Sequence, residues 1–349
     1  MNDISFAASG CEPSETSTSM RASVKGSLGR QVFTAIARLL CLASVLTTVL
    51  TFGARYFWVS ELLANLRIQQ VIAITVSLGL SLVLRQWRLS ALTAVCLLIH
   101  LLTIVPQVAF NGTEGRDLDN PIRVMSMNVL TSNRSFESIA NEIRQVDPDL
   151  IAVIEMSSEL REYMERHFVD HFPYSVTHAE DFGNFGIGIF SKFPLSETDV
   201  FRLNEDIQSI EVRCNGRRII ATHPIPPMGD RLFRSRNEHL QLLAKRTQQS
   251  LTESPQIPVI VMGDFNLTPW SPHFLDFEST SGLRRAKQGV GLTPTWYARG
   301  ASFPMGLVID HMFVSGVLQI DEYHVGEDIG SDHRSVSMLI GTRPRSGGD

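Results

Sequence analysis

The sequence predicts an integral membrane protein whose C-terminal part is an α/β domain. Two observations lead to this fold class. Three long apolar stretches lie within residues 31–110 of the 349-residue chain. From residue 122 onward, short apolar runs alternate with amphipathic and turn segments. Such alternation of strands and helices is typical of α/β domains, so we expect a membrane region followed by a separate domain.

The three apolar stretches have the length of membrane-spanning helices. They are Val32–Trp58, in which Leu39–Phe52 is free of charge, Ile68–Leu84 and Leu89–Val108. A spanning helix needs about 20 apolar residues. A cleaved signal peptide explains them less well, because about thirty mostly polar residues precede the first stretch and two more stretches follow it. We therefore expect three transmembrane helices.

Basic residues beside these stretches predict the topology. Arg21, Lys25 and Arg30 precede the first stretch, and Arg85 and Arg88 lie between the second and the third. Short flanks rich in Lys and Arg remain in the cytoplasm. Three crossings from a cytoplasmic N-terminus would place everything after the third stretch outside the cytoplasm.

The composition suggests five segments. They are a disordered, polar tail over residues 1–30, a membrane domain over 31–110, a linker (NGTEGRDLDNP) over 111–121, the α/β domain over 122–342 and a tail over 343–349. Low hydrophobicity and a high content of Ser and Thr predict disorder at the start of the chain. Gly, Asn, Asp and Pro in residues 111–121 are typical of a loop.

The C-terminal part is acidic. The whole chain has a net charge of −5, but residues 113–349 carry 23 basic and 32 acidic side chains. Duplex DNA binding without sequence preference depends on cations that neutralise phosphates, so we expect no stable duplex binding here. An acidic domain does suit a site for a divalent cation. Cys214 is the only one of the four cysteines in this part, which excludes a disulfide framework within it.

The elements of the α/β domain follow from the hydrophobic pattern. One segment, SFESIANEIRQV (135–146), has Ile139, Ile143 and Val146 at helical spacing and stops at Asp-Pro, which predicts an amphipathic helix. Seven apolar runs have the length of strands. They are IRVMSMNVL (122–130), DLIAVIEM (149–156), GIGIFS (186–191), RRIIATH (217–223), VIVMGDF (259–265), VIDHMFV (308–314) and RSVSMLI (334–340).

Acids, amides and histidines stand where these runs begin or stop. Each of them alone has an ordinary explanation as a turn former, a surface acid or a histidine at the rim of a sheet. Their repetition at several strand ends predicts that they form one site. They are Asn128, Glu155, His223, Asp264, Asn266, Asp310, His311, Asp332 and His333.

The segment VMGDFNLTP (261–269) is the most informative of these strand ends. Alternate side chains of an extended chain share a face. Asp264 and Asn266 can therefore point together while Phe265 turns into the core. A turn rich in Asp and Asn that closes the strand is the alternative explanation.

These residue types suggest a reaction. Several carboxylate and amide oxygens without paired cysteines suit a hard cation such as Mg²⁺ or Mn²⁺. An aspartate can orient or deprotonate a water, and a histidine can protonate a leaving oxygen or contact a phosphoryl oxygen. The set fits metal-assisted hydrolysis of a phosphate ester. The patterns GxxxxGK[ST], HExxH and GxSxG do not occur, which argues against P-loop, zincin and α/β-hydrolase chemistry.

The ordered motifs resemble those of the endonuclease/exonuclease/phosphatase superfamily. The series is MSMNVL, VIEM, FGIGIFSKFPL, THPIPP, GDFNLTP, TPTW with VIDHMFVS, and SDHRSV, and it covers about residues 123–340. GDFN followed by SDH near the C-terminus is the most specific part. The chain is most similar to bacterial, membrane-anchored members. The resemblance implies a four-layer sandwich of two mixed β-sheets flanked by helices and an Mg²⁺-dependent phosphoric ester hydrolase anchored in a bacterial inner (plasma) membrane. The basic flanks described above predict that its domain is extracytoplasmic.

The resemblance also implies roles at the metal and at the attacking water. Asn128, Glu155 and Asp332 match metal-site positions of the family. Asp264 matches the residue that orients or activates the attacking water, and Asn266 matches the amide that holds this water and the phosphate.

Three further positions match residues near the phosphate and the leaving group. His333 corresponds to the phosphate-facing histidine, and Asp310 to the acid that pairs with it. His223 corresponds to a histidine near the leaving group, where some relatives have a tyrosine region instead.

Two segments offer candidate substrate-binding residues. Arg231, Arg234 and Arg236, in GDRLFRSRNEHLQLL, could clamp an anionic substrate, or they could be the solvated start of an amphipathic helix. Trp296, in TPTW, could stack on a base or sugar, although packing is the better explanation.

Three functions are compatible with these features. The first is hydrolysis of a phosphodiester in nucleic acid or oligonucleotides. The second, favoured by the membrane region and the acidic domain, is a sphingomyelinase-like phosphodiesterase or phosphatase acting on phospholipids or headgroups. The third is a non-catalytic binding module on the same fold. A phosphate-ester substrate and the lipid bilayer are the expected partners.

Overall fold

A computed structural model describes residues 15–108, 117–204, 207–287, 289–298, 301–302 and 304–344. The chain forms two compact units. The first comprises Met1–Thr48 and Gln70–Ile99, and the second comprises Val49–Gln69 and His100–Asp349. The second unit therefore contains the α/β domain together with the segment between the first two apolar stretches.

The helices of the apolar region are α1 (Glu15–Thr51), α2 (Trp58–Asn65), α3 (Arg67–Val83) and α4 (Trp87–Ile104). A short 3-10 helix, Val105–Gln107, follows α4. Two windows, Gly29–Thr51 and Trp87–Gln107, are long and apolar enough to cross a membrane. The pair α2 and α3, bent by 69°, makes a third span if it is counted as one.

Two boundaries differ from those expected from the sequence. Helix α1 begins at Glu15, so residues 15–30 of the expected tail are helical; residues 1–14 and most of the expected linker and C-terminal tail lie outside the described residues. Helix α1 ends at Thr51, and the remainder of the first apolar stretch forms a turn and the start of α2. The sequence did not predict α2, because its buried face is polar or small rather than apolar.

The first unit shows large apolar side chains to the outside. Its exposed apolar side chains include Leu39 of α1, Val76 of α3 and Leu98 of α4. Within this unit, Ser90 Oγ of α4 donates to Ser81 Oγ of α3 over 3.0 Å. Small polar contacts between helices and apolar outer faces are typical of helices in a bilayer.

The α/β domain belongs to the second unit. Its elements, in chain order, are β1 (Asp119–Asn128), α5 (Phe136–Val146), β2 (Leu150–Ile154), α6 (Ser158–His167), β3 (Tyr174–His178), β4 (Ile187–Ser191), β5 (Leu195–Arg202), β6 (Gln208–Cys214), β7 (Arg217–Thr222), α7 (Asp230–Glu253), β8 (Val259–Asp264), α8 (Pro272–Ser281), β9 (Arg284–Arg285), β10 (Trp296–Tyr297), β11 (Gly306–Leu307), β12 (Asp310–Val314), β13 (Leu318–Asp328) and β14 (Arg334–Thr342).

The strands form two mixed six-stranded sheets and one two-stranded ribbon. The first sheet has the order β13-β14-β1-β2-β4-β3, and the second has the order β5-β6-β7-β8-β12-β9. Each sheet contains one parallel pair, β1 with β2 and β7 with β8. The carboxyl ends of a parallel pair lie at the same edge of a sheet, so β1 with β2 and β7 with β8 each offer two strand ends side by side.

Three apolar clusters separate the layers. The first lies between the sheets and joins Val124 and Ile154 of one sheet to Ile219 and Met262 of the other. The second packs α5 and α6 on the outer face of the first sheet. The third packs α7 and α8 on the outer face of the second sheet. This confirms the four-layer α/β sandwich.

All seven predicted strands and the predicted helix are present. The strands that the pattern did not predict include β3, β5, β6 and β13. In β5 six of the eight residues are exposed, and β13 alternates buried and exposed positions among several charged residues. Edge strands of this kind lack the continuous apolar run that identifies a central strand.

Candidate active site

The loop after β8 holds Asp264 in a fixed position. Gly263 has φ 148°, and a Cβ atom there would lie 1.8 Å from the carbonyl oxygen of Thr222, so only glycine fits. Asn266 has φ 53°, in the left-handed region. Its backbone N–H donates to Asp264 Oδ1 over 2.9 Å, and Phe265 is fully buried. The Asp-Asn turn that was the alternative explanation is therefore present, and Asn266 is not extended as the shared-face argument assumed. The turn leaves Asp264 Oδ2 for other contacts.

Three side chains from other strand ends converge on Asp264 Oδ2. Asn128 Nδ2 donates to it over 3.2 Å. His223 Nε2 lies 3.4 Å away and His333 Nε2 lies 3.6 Å away. All four residues are buried. The two sheets therefore contribute to one polar cluster, because Asn128 ends β1 and His333 precedes β14, whereas His223 and Asp264 stand at the ends of β7 and β8.

Glu155 extends the cluster. It follows β2, and its Oε1 accepts from Asn128 Nδ2 over 2.9 Å. Its Oε2 accepts from the backbone N–H of Thr131 over 3.4 Å. Glu155 has φ 60°, a conformation that costs energy for a residue other than glycine and that often occurs at functional sites.

His333 and Asp310 form a buried pair. His333 Nδ1 lies 2.9 Å from Asp310 Oδ2, an arrangement in which Nδ1 donates and Nε2 faces Asp264. Burial by itself disfavours the protonated ring, but the carboxylates of Asp310 and Asp264 outweigh it and raise the pKa of His333 to about 10. His333 is therefore protonated at neutral pH in this arrangement.

His223 and Asp264 favour each other's charged forms. Burial lowers the pKa of His223, yet the hydrogen bond and the charge of Asp264 reverse the direction, so the pKa is raised. Burial raises the pKa of Asp264, but His333 and His223 outweigh it and lower the pKa below its ordinary value. Asn266 Nδ2 donates to the carbonyl oxygen of Pro224 over 3.0 Å and lies 3.3 Å from His223 Nε2.

Asp332 and Trp296 lie beside this cluster. Trp296 Nε1 donates to Asp332 Oδ2 over 2.9 Å, and Trp296 forms a β-bridge with His333. Trp296 thus contacts the site through its ring nitrogen. A cavity of about 690 Å³ opens here, lined by Asp332, Tyr297, Arg134 and Arg334 among others. Neither arginine was predicted as a site residue. Arg134 lies in no motif, and Arg334, in SDHRSV, was assigned only to the start of a strand.

Arg231 and Arg234 lie elsewhere in this unit. They are in the first turns of α7 and line a cavity of about 300 Å³ with Asn204, Asp230, Ser235 and Glu238. Arg234 pairs with Asp230 over 2.5 Å on the surface. No residue of the buried cluster lines that cavity.

The residues of the cluster are suited to a cation. Glu155, His223 and Asp264 each offer a ligand atom, and these atoms lie within 4.8 Å of one another; Asp264, Asp310 and His333 form a second such group. Four carboxylates lie in or beside the cluster with only two histidines, and three of them, those of Glu155, Asp264 and Asp310, are buried. Buried charge needs compensation, and a divalent cation would supply it.

Comparisons with known proteins agree with this architecture. A sequence model of the Endonuclease/Exonuclease/phosphatase family matches residues 125–333, which is more than half of the chain. The chain therefore belongs to the endonuclease/exonuclease/phosphatase family, whose members hydrolyse phosphoester bonds. No match was found among curated protein sequences.

Several solved structures share the fold. The 3′-5′ exonuclease NExo from Neisseria meningitidis is 17% identical, with a TM-score of 0.53 over 64% of this chain and 100% of its own. The human Nocturnin catalytic domain is 21% identical, with a TM-score of 0.52 over 65% and 96%. D. rerio TDP2, complexed with a single-strand DNA product, is 16% identical, with a TM-score of 0.52 over 64% and 100%.

Proposed function

We propose that this protein is a membrane-anchored, divalent-metal-dependent phosphodiesterase that acts on nucleic acid or oligonucleotides. The observation that carries the proposal is the convergence of Asn128, His223 and His333 on one oxygen of Asp264. Four strand ends from two sheets supply these side chains in a chain whose family hydrolyses phosphoester bonds.

Asn128, Glu155 and Asp332 would hold the metal ion, with Mg²⁺ or Mn²⁺ as the ions that oxygen ligands prefer. When bound, such an ion polarises a phosphoryl oxygen and neutralises its charge. The ligand atoms of Glu155 and Asp264 lie within 4.8 Å of each other. This supports a cation close to Asp264, the carboxylate assigned to the attacking water.

The remaining residues act on the water and the phosphate. Asp264, whose pKa is lowered mainly by His333 against the effect of burial, is ionised and orients the attacking water or accepts its proton. Asn266 holds the water and the phosphate through its carboxamide. His333, protonated and held by Asp310, donates to a phosphoryl oxygen.

His223 serves the leaving group. Asp264 raises the pKa of His223 against the effect of burial, so His223 can hold a proton for the departing oxygen. Trp296 holds Asp332 through its ring N–H. A contact of Arg231 and Arg234 with more distant parts of an anionic substrate remains a prediction.

The substrate class is supported by the neighbours and by the chemistry. NExo is named as an exonuclease and TDP2 is complexed with DNA product, so a phosphodiester in a nucleic acid strand is our first choice. Two, or up to three, helices able to cross a membrane favour a second candidate, a phospholipid or its headgroup. A non-catalytic binding module is disfavoured, because every polar position that the family motifs lead one to expect is filled.

The contacts of α2 support the proposed topology. Helix α2 and the α/β domain belong to one compact unit, so they share one side of the membrane. The chain between them then crosses the membrane an even number of times. This requires that α3 spans by itself, without α2, and that α4 spans as well. With α1 as the first span, three crossings from a cytoplasmic start place the domain outside the cytoplasm.

A screen of the full-length protein in detergent tests the proposed function. The substrates are single-stranded DNA, RNA, sphingomyelin, phosphatidylcholine and bis-nitrophenyl phosphate, each assayed across a titration of Mg²⁺ or Mn²⁺. We expect hydrolysis of single-stranded nucleic acid that requires the metal. Exclusive hydrolysis of the lipids would favour the second candidate.

A matched pair of variants shows whether turnover comes from this site. Glu155→Ala removes a buried oxygen ligand, so metal-dependent turnover should fall by about 10²-fold or more. Glu253→Ala removes an exposed acid at the end of α7 and should leave turnover unchanged. Parental activity of Glu155→Ala at low Mg²⁺ would contradict the metal assignment.

A further inference from the structure

Helix α2 lies against the loop that carries Asp264 and Asn266. The buried residues of α2 are Ser60, Glu61, Ala64 and Asn65, so the helix turns polar groups inward. Its apolar Val59 is about half exposed. A helix that packed only to bury apolar surface would have the opposite pattern. The inward side chains therefore have specific partners.

Glu61 and Arg236 form a fully buried ion pair. Neither side chain is exposed to solvent, although Glu61 lies in α2 and Arg236 lies in α7. Ser271 Oγ donates to the other oxygen of Glu61 over 2.8 Å. Arg236 Nη1 donates to the carbonyl oxygen of Asn266 over 3.0 Å. The guanidinium of Arg236 thus connects α2 to Asn266 in the loop of residues 264–268, which we call the catalytic loop.

Asn65 holds the same loop two residues further along. Its Oδ1 accepts from the backbone N–H of Thr268 over 3.1 Å and from Thr268 Oγ1 over 2.8 Å. Its carbonyl oxygen accepts from Trp270 Nε1 over 3.2 Å. Asn65, Thr268 and Trp270 are all buried, so water does not compete for these hydrogen bonds.

Together these contacts fix both sides of a strained turn. Asn266 occupies the left-handed region at φ 53° and carries the carboxamide near His223. Arg236 holds the carbonyl oxygen of Asn266, and Asn65 holds the amide of Thr268. A buried ion pair adds little stability compared with an apolar pair of the same size. Its value here lies in the geometry that it imposes on the turn.

We propose that Glu61, Asn65 and Arg236 are positioning residues for Asp264 and Asn266. The segment between α1 and α3 is then part of the catalytic apparatus, and full turnover requires α2 as well as the α/β domain. This inference rests on the proposed function for its effect on turnover, whereas its effect on the loop is independent of that function.

Hydrogen–deuterium exchange of the full-length protein in detergent tests the effect on the loop. Asn65→Ala removes the acceptor of the Thr268 amide, so exchange over residues 264–268 should accelerate by about tenfold or more. Asn65→Asp retains an acceptor oxygen and should keep the parental protection. Unchanged exchange in Asn65→Ala would overturn the inference.

Asp276→Asn is the matched control for the segment. Arg55 precedes α2 and pairs with Asp276 of α8 over 2.5 Å, with both side chains more than 40% exposed. This pair links the same segment to the domain without touching the catalytic loop. We expect Asp276→Asn to have the exchange rates and the turnover of the parent. If exchange over residues 264–268 accelerates as much in Asp276→Asn as in Asn65→Ala, any weakening of the segment has this effect. That result would overturn the specific roles of Glu61, Asn65 and Arg236.

Steady-state kinetics distinguish a positioning role of Arg236 from a role that only stabilises the fold. Arg236→Lys keeps a positive charge opposite Glu61 but loses the planar fork that reaches Asn266. Because a displacement of about 1 Å can cost about 10²-fold in rate, kcat should fall about 10- to 10²-fold, with KM changed by less than about twofold. Parental kcat in Arg236→Lys would contradict the positioning role.

A double variant completes the test. Arg236→Met alone leaves Glu61 buried without its partner, so its melting temperature should fall below that of the parent. Glu61→Gln with Arg236→Met removes both charges and keeps an acceptor for Ser271, so the melting temperature of the double variant should return toward that of the parent. Turnover should stay low, because the donor to Asn266 is still missing. Recovery of turnover together with stability would show that the pair is only structural.

Asp264→Asn distinguishes the two proposals. Loss of turnover in Asp264→Asn, with parental turnover in Arg236→Lys, would overturn this inference and leave the proposed function intact. Turnover that survives Asp264→Asn would contradict the proposed function. The exchange experiment then still decides whether α2 holds the loop.

Discussion

Asp264 is the residue on which the cluster depends. One of its oxygens receives the Asn266 amide and the other faces Asn128, His223 and His333. A single carboxylate therefore joins the turn to residues from both sheets. Substitutions at Asp264 and at its neighbours should act on the same step of the reaction.

The first prediction concerns this shared role. Asp264→Asn and His333→Ala should each lower kcat by about 10²–10⁴-fold, the range of general acid–base groups. Because residues that act as a unit give non-additive losses, the double variant should be little worse than the poorer single variant. Steady-state kinetics on the best substrate of the screen measure all three.

Two results would contradict this prediction. Near-parental activity in either single variant would place the site elsewhere. Losses that multiply in the double variant would mean that Asp264 and His333 act in separate steps.

His311 is a buried histidine outside the proposed reaction. Its Nε2 lies 2.8 Å from the carbonyl oxygen of Leu267, and its Nδ1 has no hydrogen-bond partner among the described residues. Burial disfavours the charged ring and lowers the pKa of His311 to about 3, with Arg285 acting in the same direction. The folded protein therefore excludes a proton that the unfolded chain binds below about pH 6.5.

The second prediction follows from this difference. Stability is fully present above pH 6.5, and His311 reduces it by about 1.4 kcal/mol per pH unit as the pH falls from 6.5 toward 3. His311→Gln can still donate to Leu267 but does not titrate. Its free energy of unfolding should gain about 2 kcal/mol relative to the parent between pH 6.5 and pH 5.

Denaturant unfolding in detergent at several pH values measures this difference. His178→Gln, at a half-buried position on β3, is the control and should follow the parent. If the difference in the free energy of unfolding between His311→Gln and the parent stays constant across this pH range, it would contradict the buried, neutral state of His311.

At the scale of elements, the end of β8 is the most constrained position of the site. Strands β7 and β8 run parallel, with Thr222 opposite Gly263. The missing Cβ of Gly263 lets the two backbones approach each other. This approach brings His223 and Asp264 together, so the glycine determines where the carboxylate lies.

The third prediction tests this approach. Gly263→Ala would place a Cβ 1.8 Å from the Thr222 carbonyl oxygen, so the strands must separate. We expect the free energy of unfolding to fall by about 3 kcal/mol or more, and kcat to fall because Asp264 shifts. Gly316→Ala, where a Cβ meets nothing within 4 Å, should stay within about 0.5 kcal/mol of the parent. Equal melting temperatures for the two variants would contradict the packing argument.

The elements differ in how well the sequence predicts them. The central strands β1, β2, β7, β8 and β12 are continuous apolar runs because both faces are buried, and the pattern identifies them directly. Edge strands such as β5 bury little and leave no such pattern. The hydrophobic pattern does not predict helix α2. Its Glu61 and Asn65 turn inward to polar partners that lie about 170 to 210 positions away along the chain.

At the scale of the whole molecule, the proposed role of α2 would connect the topology to catalysis. The segment that leaves α1 supports the catalytic loop of a domain that begins after α4. The fourth prediction is that phosphatase reporters fused after residue 57 and after residue 115 are both active, whereas a reporter fused after residue 86 is inactive. The basic flank with Arg85 and Arg88 keeps that last position in the cytoplasm.

Reporter activity in intact cells checks this arrangement directly. A cytoplasmic result at residue 115 would reverse the proposed side of the domain and with it the idea of an extracytoplasmic substrate. Opposite results at residues 57 and 115 would be incompatible with the packing of α2 on the domain.

The sequence by itself determined the class of the fold and the residue types that stand at the strand ends. Apolar length identifies helices able to cross a membrane, continuous apolar runs identify central strands, and GDFN with SDH marks strand ends, because each depends on neighbours in the chain. The tertiary structure decided which ends meet, how His223 and His333 share Asp264, that Arg231 and Arg234 lie apart from the cluster, and that Glu61 pairs with Arg236. These are contacts between residues distant in sequence, whose energies depend on burial and on partners that no local pattern encodes.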